Sequence, residues 1–129
     1  MKKFIGTKVI MAERMTREEA QKVLGREIKP ATDEEDGYLV EYKDGYKSWS
    51  PKYTFEETYK PAETFLDRLS IEQYELAKKV SGLRKFLYAE DEQMKVGKFQ
   101  FIKLIEQFEV MKKYLNILTE RIEDLKMKV

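Results

Sequence analysis

The sequence predicts an α+β fold: a small N-terminal antiparallel β-sheet with short helices, then a C-terminal antiparallel hairpin of two long helices that mediates oligomerisation. Three observations predict it. From Phe101 the apolar residues fall at Phe101, Leu104, Phe108, Met111, Leu115, Leu118, Ile122 and Leu125, a three-four alternation with the period of a coiled-coil seam. Two alternating runs meet at Asp44-Gly45, a dipeptide suited to a tight β-hairpin turn. Lys60-Pro61-Ala62-Glu63 then separates them from a second helical pattern. The boundary falls at this hinge, with a sheet module over residues 1–63 and a helical hairpin over 64–129 that together make one ligand-binding unit.

Taken in order, Lys3 to Met11 is rich in β-branched residues and reads as a strand ending at Ala12, with Gly6 as a bulge. Thr16-Arg17-Glu18-Glu19 is a capping-box pattern, Ala20, Val23 and Leu24 share one face, and Gly25 stands where a helix stops. Arg26 to Gly37 holds Pro30 and the acidic run Asp33 to Asp36, read as a solvated loop in preference to a metal site. Tyr38 to Tyr42 and Tyr46 to Trp49 form the hairpin, and Ser50-Pro51 caps a short helix through Phe55 and Tyr59. Trp49, Tyr53, Phe55 and Tyr59 are read as core between sheet and helices, in preference to a base-stacking platform.

The first long helix spans Thr64 to Tyr88, with Thr64 and Asp67 capping it and Leu66, Leu69, Leu76, Val80, Leu83, Phe86 and Leu87 on one face. Gly82 marks a bend or a close approach. Ala89 to Val96 reverses the chain. The last helix starts near Gly97 and Lys98 and extends for about 40 Å. A second stripe of Ile102, Ile105, Tyr114 and Ile117 gives it a second neighbour, in the same chain or in another copy.

Composition excludes more than it names. The 129 residues have a formal net charge of +1, although 38% are charged, so no overall field draws nucleic acid or an acidic membrane. Neither cysteine nor histidine occurs, which removes thiolate nucleophiles, disulfides, the commonest general base and the usual zinc ligands. No glycine-rich phosphate loop is present, and Glu72 with Glu75, or Glu106 with Glu109, are spaced for a solvated helix face. No enzyme, cofactor or metal is expected, nor a signal peptide or membrane span, so the chain reads as intracellular. Arg84, Lys85, Lys95, Lys98, Lys112, Lys113 and Arg121, read mostly as solvated surface, leave one route to anion binding, because self-association would repeat each cation around a symmetry axis.

Two stretches carry a resemblance. K-F-I-G-T-K and M-T, then D-E-E-D-G-Y-L-V-E-Y and S-W-S-P-K-Y-T-F-E-E-T-Y-K-P, resemble an N-terminal module of small phage proteins. Leu83, Phe86, Gln107, Met111, Tyr114, Ile117, Leu118, Arg121 and Ile122 follow a pattern similar to the helical hairpin of phage nucleotide sponges. Together they resemble the first family of Thoeris anti-defence proteins, whose hairpin is similar to that of the anti-CBASS sponge.

The resemblance implies sequestration in the host bacterial cytoplasm during infection. Such proteins bind without cleaving the cyclic ADP-ribose isomers made by TIR-domain proteins. Some also hold cyclic di- or trinucleotides, and they assemble as homo-oligomers, dimer to hexamer, with no DNA, RNA or membrane partner. It places Phe86 at the purine-stacking position, Lys60 where the family usually has arginine, and Val96 and Gly97 where a polar residue contacts ligand; Arg84 and Lys98 complete that set. Lys112, Lys113 and Arg121 are candidates for a second, axial nucleotide site. The other reading is a helical adaptor or inhibitor that recognises a protein and no small ligand.

Overall fold

Gly37 to Pro51 provides the hairpin on which the first sixty residues are built. In the computed structural model, which describes residues 1–29, 32–89, 91 and 95–128, strands β1 (Met11–Arg14), β2 (Gly37–Glu41) and β3 (Lys47–Pro51) form an antiparallel sheet in the order β1-β2-β3. Met11 pairs with Glu41 and Arg14 with Tyr38, while Gly37 pairs with Pro51 and Glu41 with Lys47. The chain divides into two units, Met1–Lys60 and Pro61–Val129.

The turn is a three-residue one. The Gly45 N–H donates to the Tyr42 carbonyl at 2.9 Å, the Tyr42 N–H donates to the Tyr46 carbonyl at 2.8 Å, and Gly45 takes φ 91°. Asp44 keeps negative φ and accepts the Tyr46 N–H on Oδ1 at 3.0 Å. Helix α1 (Arg17–Leu24) is capped by Thr16, whose hydroxyl accepts the Glu19 N–H, and ends at Gly25 with φ 68°. Ala20 is buried, Leu24 half-buried and Val23 exposed, so the expected apolar face is narrower than its sequence pattern. Trp49 is buried and donates from Nε1 to the Met15 carbonyl at 2.8 Å.

Four expectations for this unit are corrected. The first strand begins where it was expected to end, and residues 1–10 carry no strand. Strand β2 runs into its turn at Tyr42, so no rung remains for residues before Met11, and Phe4, Ile5 and Val9 stay exposed. Ser50 and Pro51 belong to β3, and helix α2 (Lys52–Thr58) starts after them without a side-chain cap. Tyr53 is exposed, whereas Phe55 stacks on Tyr38 with ring centroids 4.1 Å apart and on Tyr59 with centroids 5.0 Å apart. The acidic run is not simply solvated. Asp36 takes two hydrogen bonds from Arg14, Glu35 pairs with Arg17, and Glu34 accepts the Tyr53 N–H. Arg14 holds the Asp36 carboxyl below the usual carboxylate range, and the hydrogen bond to Glu56 raises the Tyr38 phenol above its ordinary value. Pro30 lies outside the described residues.

The second unit is the expected antiparallel hairpin of helices α3 (Phe65–Tyr88) and α4 (Lys98–Met127). Thr64 and Asp67 close a full capping box at the start of α3. Gln73 bonds to Thr119 at 3.0 Å and Arg84 lies over Phe108, so eleven residues forward along α3 correspond to eleven back along α4. Leu69, Leu76, Val80, Phe108, Leu118 and Ile122 form the buried core, with Leu66, Leu83, Leu87, Met111, Leu115 and Leu125 packed against it. The seam read from the sequence is the face α4 turns to α3, while Ile102, Ile105, Tyr114 and Ile117 remain exposed. Gly82 lies within continuous α3, and a Cβ there would meet nothing within 4 Å. Of the chain reversal, Glu90 and residues 92–94 lie outside the described residues. No helix among the described residues is long and apolar enough to cross a membrane.

Candidate functional site

The loop end of the hairpin gathers most of the candidate residues of the second unit. Because α3 and α4 share one seam, each side of that seam presents the side chains that flank it. Arg84 places its guanidinium carbon 5.5 Å from the Phe108 ring centroid, and Lys112 places Nζ 4.7 Å from the same centroid. Two cations therefore converge on one buried ring, each attracted to its π-system while repelling the other. Lys112 is partly neutralised by Glu109 at 3.1 Å. Arg84 has no carboxylate among the salt bridges of the described residues. The pair Arg84 and Lys112 was not read as one group from the sequence; the signal was Phe108 itself, a seam aromatic with Lys112 one turn along.

Phe86 occupies the last turn of α3, half-buried and outside the hydrophobic cluster that holds the hairpin together. Its neighbours Leu83 and Leu87 do join that cluster. An aromatic ring that is not committed to the core is available to stack on a flat partner.

Val96, Gly97 and Lys98 form the start of α4. Gly97 is its N-cap with φ 84°, a left-handed conformation that glycine adopts without strain, and no side chain caps the helix. The N-cap glycine itself offers no side-chain acceptor to the first N–H groups of this thirty-residue helix, which stand at the positive end of its dipole and beside Lys98. The helix register sets Phe86 abreast of Glu106, so Gly97 lies about nine residues, roughly 13 Å, further along the hairpin axis. Phe86 with Arg84, and Gly97 with Lys98, are two points on one end and not one contact shell.

Lys60 ends the first unit, where its ammonium donates to the Glu56 carbonyl at 3.0 Å. Lys112, Lys113 and Arg121 all project from α4. Nine residues separate Lys112 from Arg121, which is two and a half turns, so they stand on opposite sides of the helix. Arg121 lies over the exposed ring of Phe65 at 6.0 Å, and Lys113 is exposed. A single hairpin does not bring these three together. Glu106 and Glu109, considered as acid-base partners, are each paired with a lysine on their own helix.

Comparison with known proteins gives one positive result. The model of the Sequestin family matches residues 63–124, from the residue before the Thr64 cap to the penultimate turn of α4. No curated protein and no solved structure matches the chain. The match covers the core leucines of both long helices, Phe86, Arg84, the Gly97 cap and the α4 cations, and it stops short of the sheet. The sponge-type resemblance carried by the tail motif thus meets a family named for sequestration: over residues 63–124 the helical hairpin of this chain is similar to the Sequestin family.

Proposed function

We propose that the chain is a phage anti-defence sponge. It binds a cyclic nucleotide immune signal and holds it uncleaved, so that the host effector stays inactive in the bacterial cytoplasm. The preferred class is the cyclic ADP-ribose isomers of Thoeris TIR proteins, with the cyclic di- and trinucleotides of CBASS as the second class. The observation that carries the reading is the Sequestin match over the same hairpin that bears Phe86, Arg84 and the α4 N-terminus.

The chemistry of these groups supports it. Phe86 stacks on a purine, Arg84 offers a planar fork to a phosphate, and the uncapped α4 N-terminus with Lys98 offers backbone donors and charge to a second phosphate. Stacking, a planar cation and backbone donors are groups for holding a ligand, and holding is all the set is asked to do. Lys112, Lys113 and Arg121 belong to a second, axial site only when copies of the chain, dimer to hexamer, bring opposite sides of α4 together.

The test is a capture experiment. Purified protein is mixed with a panel of cyclic ADP-ribose isomers and cyclic oligonucleotides, filtered, and the retained fraction heated and its small molecules identified. Depletion of one compound from the filtrate with intact recovery on heating is expected. Altered products would mean an enzyme, and an undepleted filtrate would mean a protein-binding adaptor. Phe86→Ala is expected to weaken capture by about 1–3 kcal/mol, roughly 5- to 150-fold, with the helical signal unchanged.

A further inference from the structure

The first unit carries two stacks of rings and cations, and they differ in how their charges are met. In one, Tyr59, Phe55 and Tyr38 follow in that order, with the Arg14 guanidinium 5.9 Å from the Tyr38 ring centroid. That stack is closed within the chain: Arg14 gives two hydrogen bonds to Asp36, and the Tyr38 hydroxyl donates to Glu56 at 2.7 Å. The other stands at the turn of the hairpin. Lys8 Nζ lies 4.9 Å from the Tyr42 centroid, the Tyr42 and Tyr46 rings stack with centroids 6.0 Å apart and 21° between their planes, and Arg26 Cζ lies 5.7 Å from the Tyr46 centroid. No carboxylate closes this second stack. Lys8 and Arg26, and the neighbouring Lys43 and Lys47, have none among the salt bridges of the described residues. Asp44, the acid of the turn, accepts the Tyr46 N–H.

We propose that the turn-end stack is a binding site for a purine nucleotide, with Tyr42 stacking on the base and Lys8 and Arg26 meeting the phosphate. Arg26 is already positioned, because its Nη2 donates to the Lys47 carbonyl at 3.1 Å; as the one hydrogen bond it gives among the described residues, this leaves further N–H groups for a phosphate. Lys8 belongs to residues 1–10, which pair with no strand, and an ammonium over an exposed ring is a weak contact. A base stacked on a tyrosine gains more than that ammonium does, so the base takes the ring face and the long lysine stem carries the charge across to the phosphate. Open rings alone would suit any apolar partner. Rings ended by cations without carboxylates select a flat group that carries negative charge. The site lies within Met1–Lys60, outside the residues 63–124 matched to the Sequestin family, and it neither rests on the sponge reading nor uses the helical hairpin.

The test is a calorimetric titration of the full chain with AMP, in a Phe86→Ala background so that the ring of the hairpin site takes no part. AMP is expected to bind. Adding Tyr42→Ala is expected to weaken it by about tenfold or more, while Tyr42→Phe, which keeps the ring, stays within about threefold. Lys8→Glu, at an exposed position, is expected to weaken it by about tenfold as well. Adenosine, which lacks the phosphate, and ribose 5-phosphate, which lacks the base, are each expected to bind at least about tenfold more weakly than AMP. The fluorescence of Trp49, buried in the same unit, confirms that each variant is folded. No binding of AMP, a Tyr42→Ala variant that binds as tightly as its parent, or ribose 5-phosphate that binds as tightly as AMP would overturn the site. AMP held by the wild type and lost with Phe86→Ala would also overturn it and would leave the sponge reading standing; a failure to capture cyclic nucleotides would sink the sponge reading and leave the Tyr42 result untouched.

Discussion

Gly37 and Gly82 show how differently one residue type is held. A Cβ on Gly37 would lie 2.2 Å from the Ser50 carbonyl oxygen and 2.6 Å from the Trp49 ring, both parts of the facing strand β3. Gly37→Ala is expected to lower the stability of the first unit by about 3 kcal/mol, read as a fall in the denaturant midpoint of the fluorescence of Trp49, the chain's one tryptophan. At Gly82 a Cβ meets open space, and glycine only adds backbone entropy to the unfolded chain. Gly82→Ala is expected to raise hairpin stability by about 1 kcal/mol, measured by circular dichroism in denaturant. The sequence alone marks Gly37 as the end of a loop and Gly82 as a bend or a close approach; the space around each, which reverses that emphasis, depends on strand pairing and helix packing that local pattern does not contain.

At the scale of elements, what was legible was local. The Thr64–Asp67 box, the Thr16 cap, the Gly25 stop, the Gly45 turn and the α4 seam are each written within a few residues of where they act. What was not legible depends on partners far along the chain. The place of β1 is decided by how many rungs β2 offers, and the acidic run is decided by Arg14 and Arg17, which stand 22 and 18 residues from Asp36 and Glu35. Likewise Arg84 and Lys112 share Phe108 only through the register of α3 against α4. The Arg14–Asp36 clip has a pH signature. Arg14 lowers the folded-state value of Asp36, so its contribution is present above the ordinary carboxylate range and is lost as pH falls through the depressed value. The acid-side fall in the Trp49 unfolding midpoint is expected to be shallower in Arg14→Ala than in the wild type; identical curves would show that the pair contributes nothing measurable.

For the molecule as a whole, the question is what stabilises a second unit made of two helices. Pro61–Val129 buries one seam with three buried side chains from each helix, and two-helix units of this size sit close to zero net stability because a single seam barely offsets chain entropy. The exposed apolar side chains of α4, among them Ile102, Val110 and Ile117, are the surface available to change that balance. If two copies share it, folding and association are linked, and dilution destabilises the hairpin by mass action. A tenfold rise in protein concentration then adds about 1.4 kcal/mol per dimer, about 0.7 kcal/mol per chain, and for a unit of this size raises Tm by about 3–5 °C. Thermal melts followed by helical circular dichroism across two decades of concentration are expected to show that climb in the wild type and to lose it in Val110→Lys, which puts a charge in the middle of that exposed surface. A wild-type Tm that stays constant over the same range would mean that the α3–α4 seam holds the hairpin by itself.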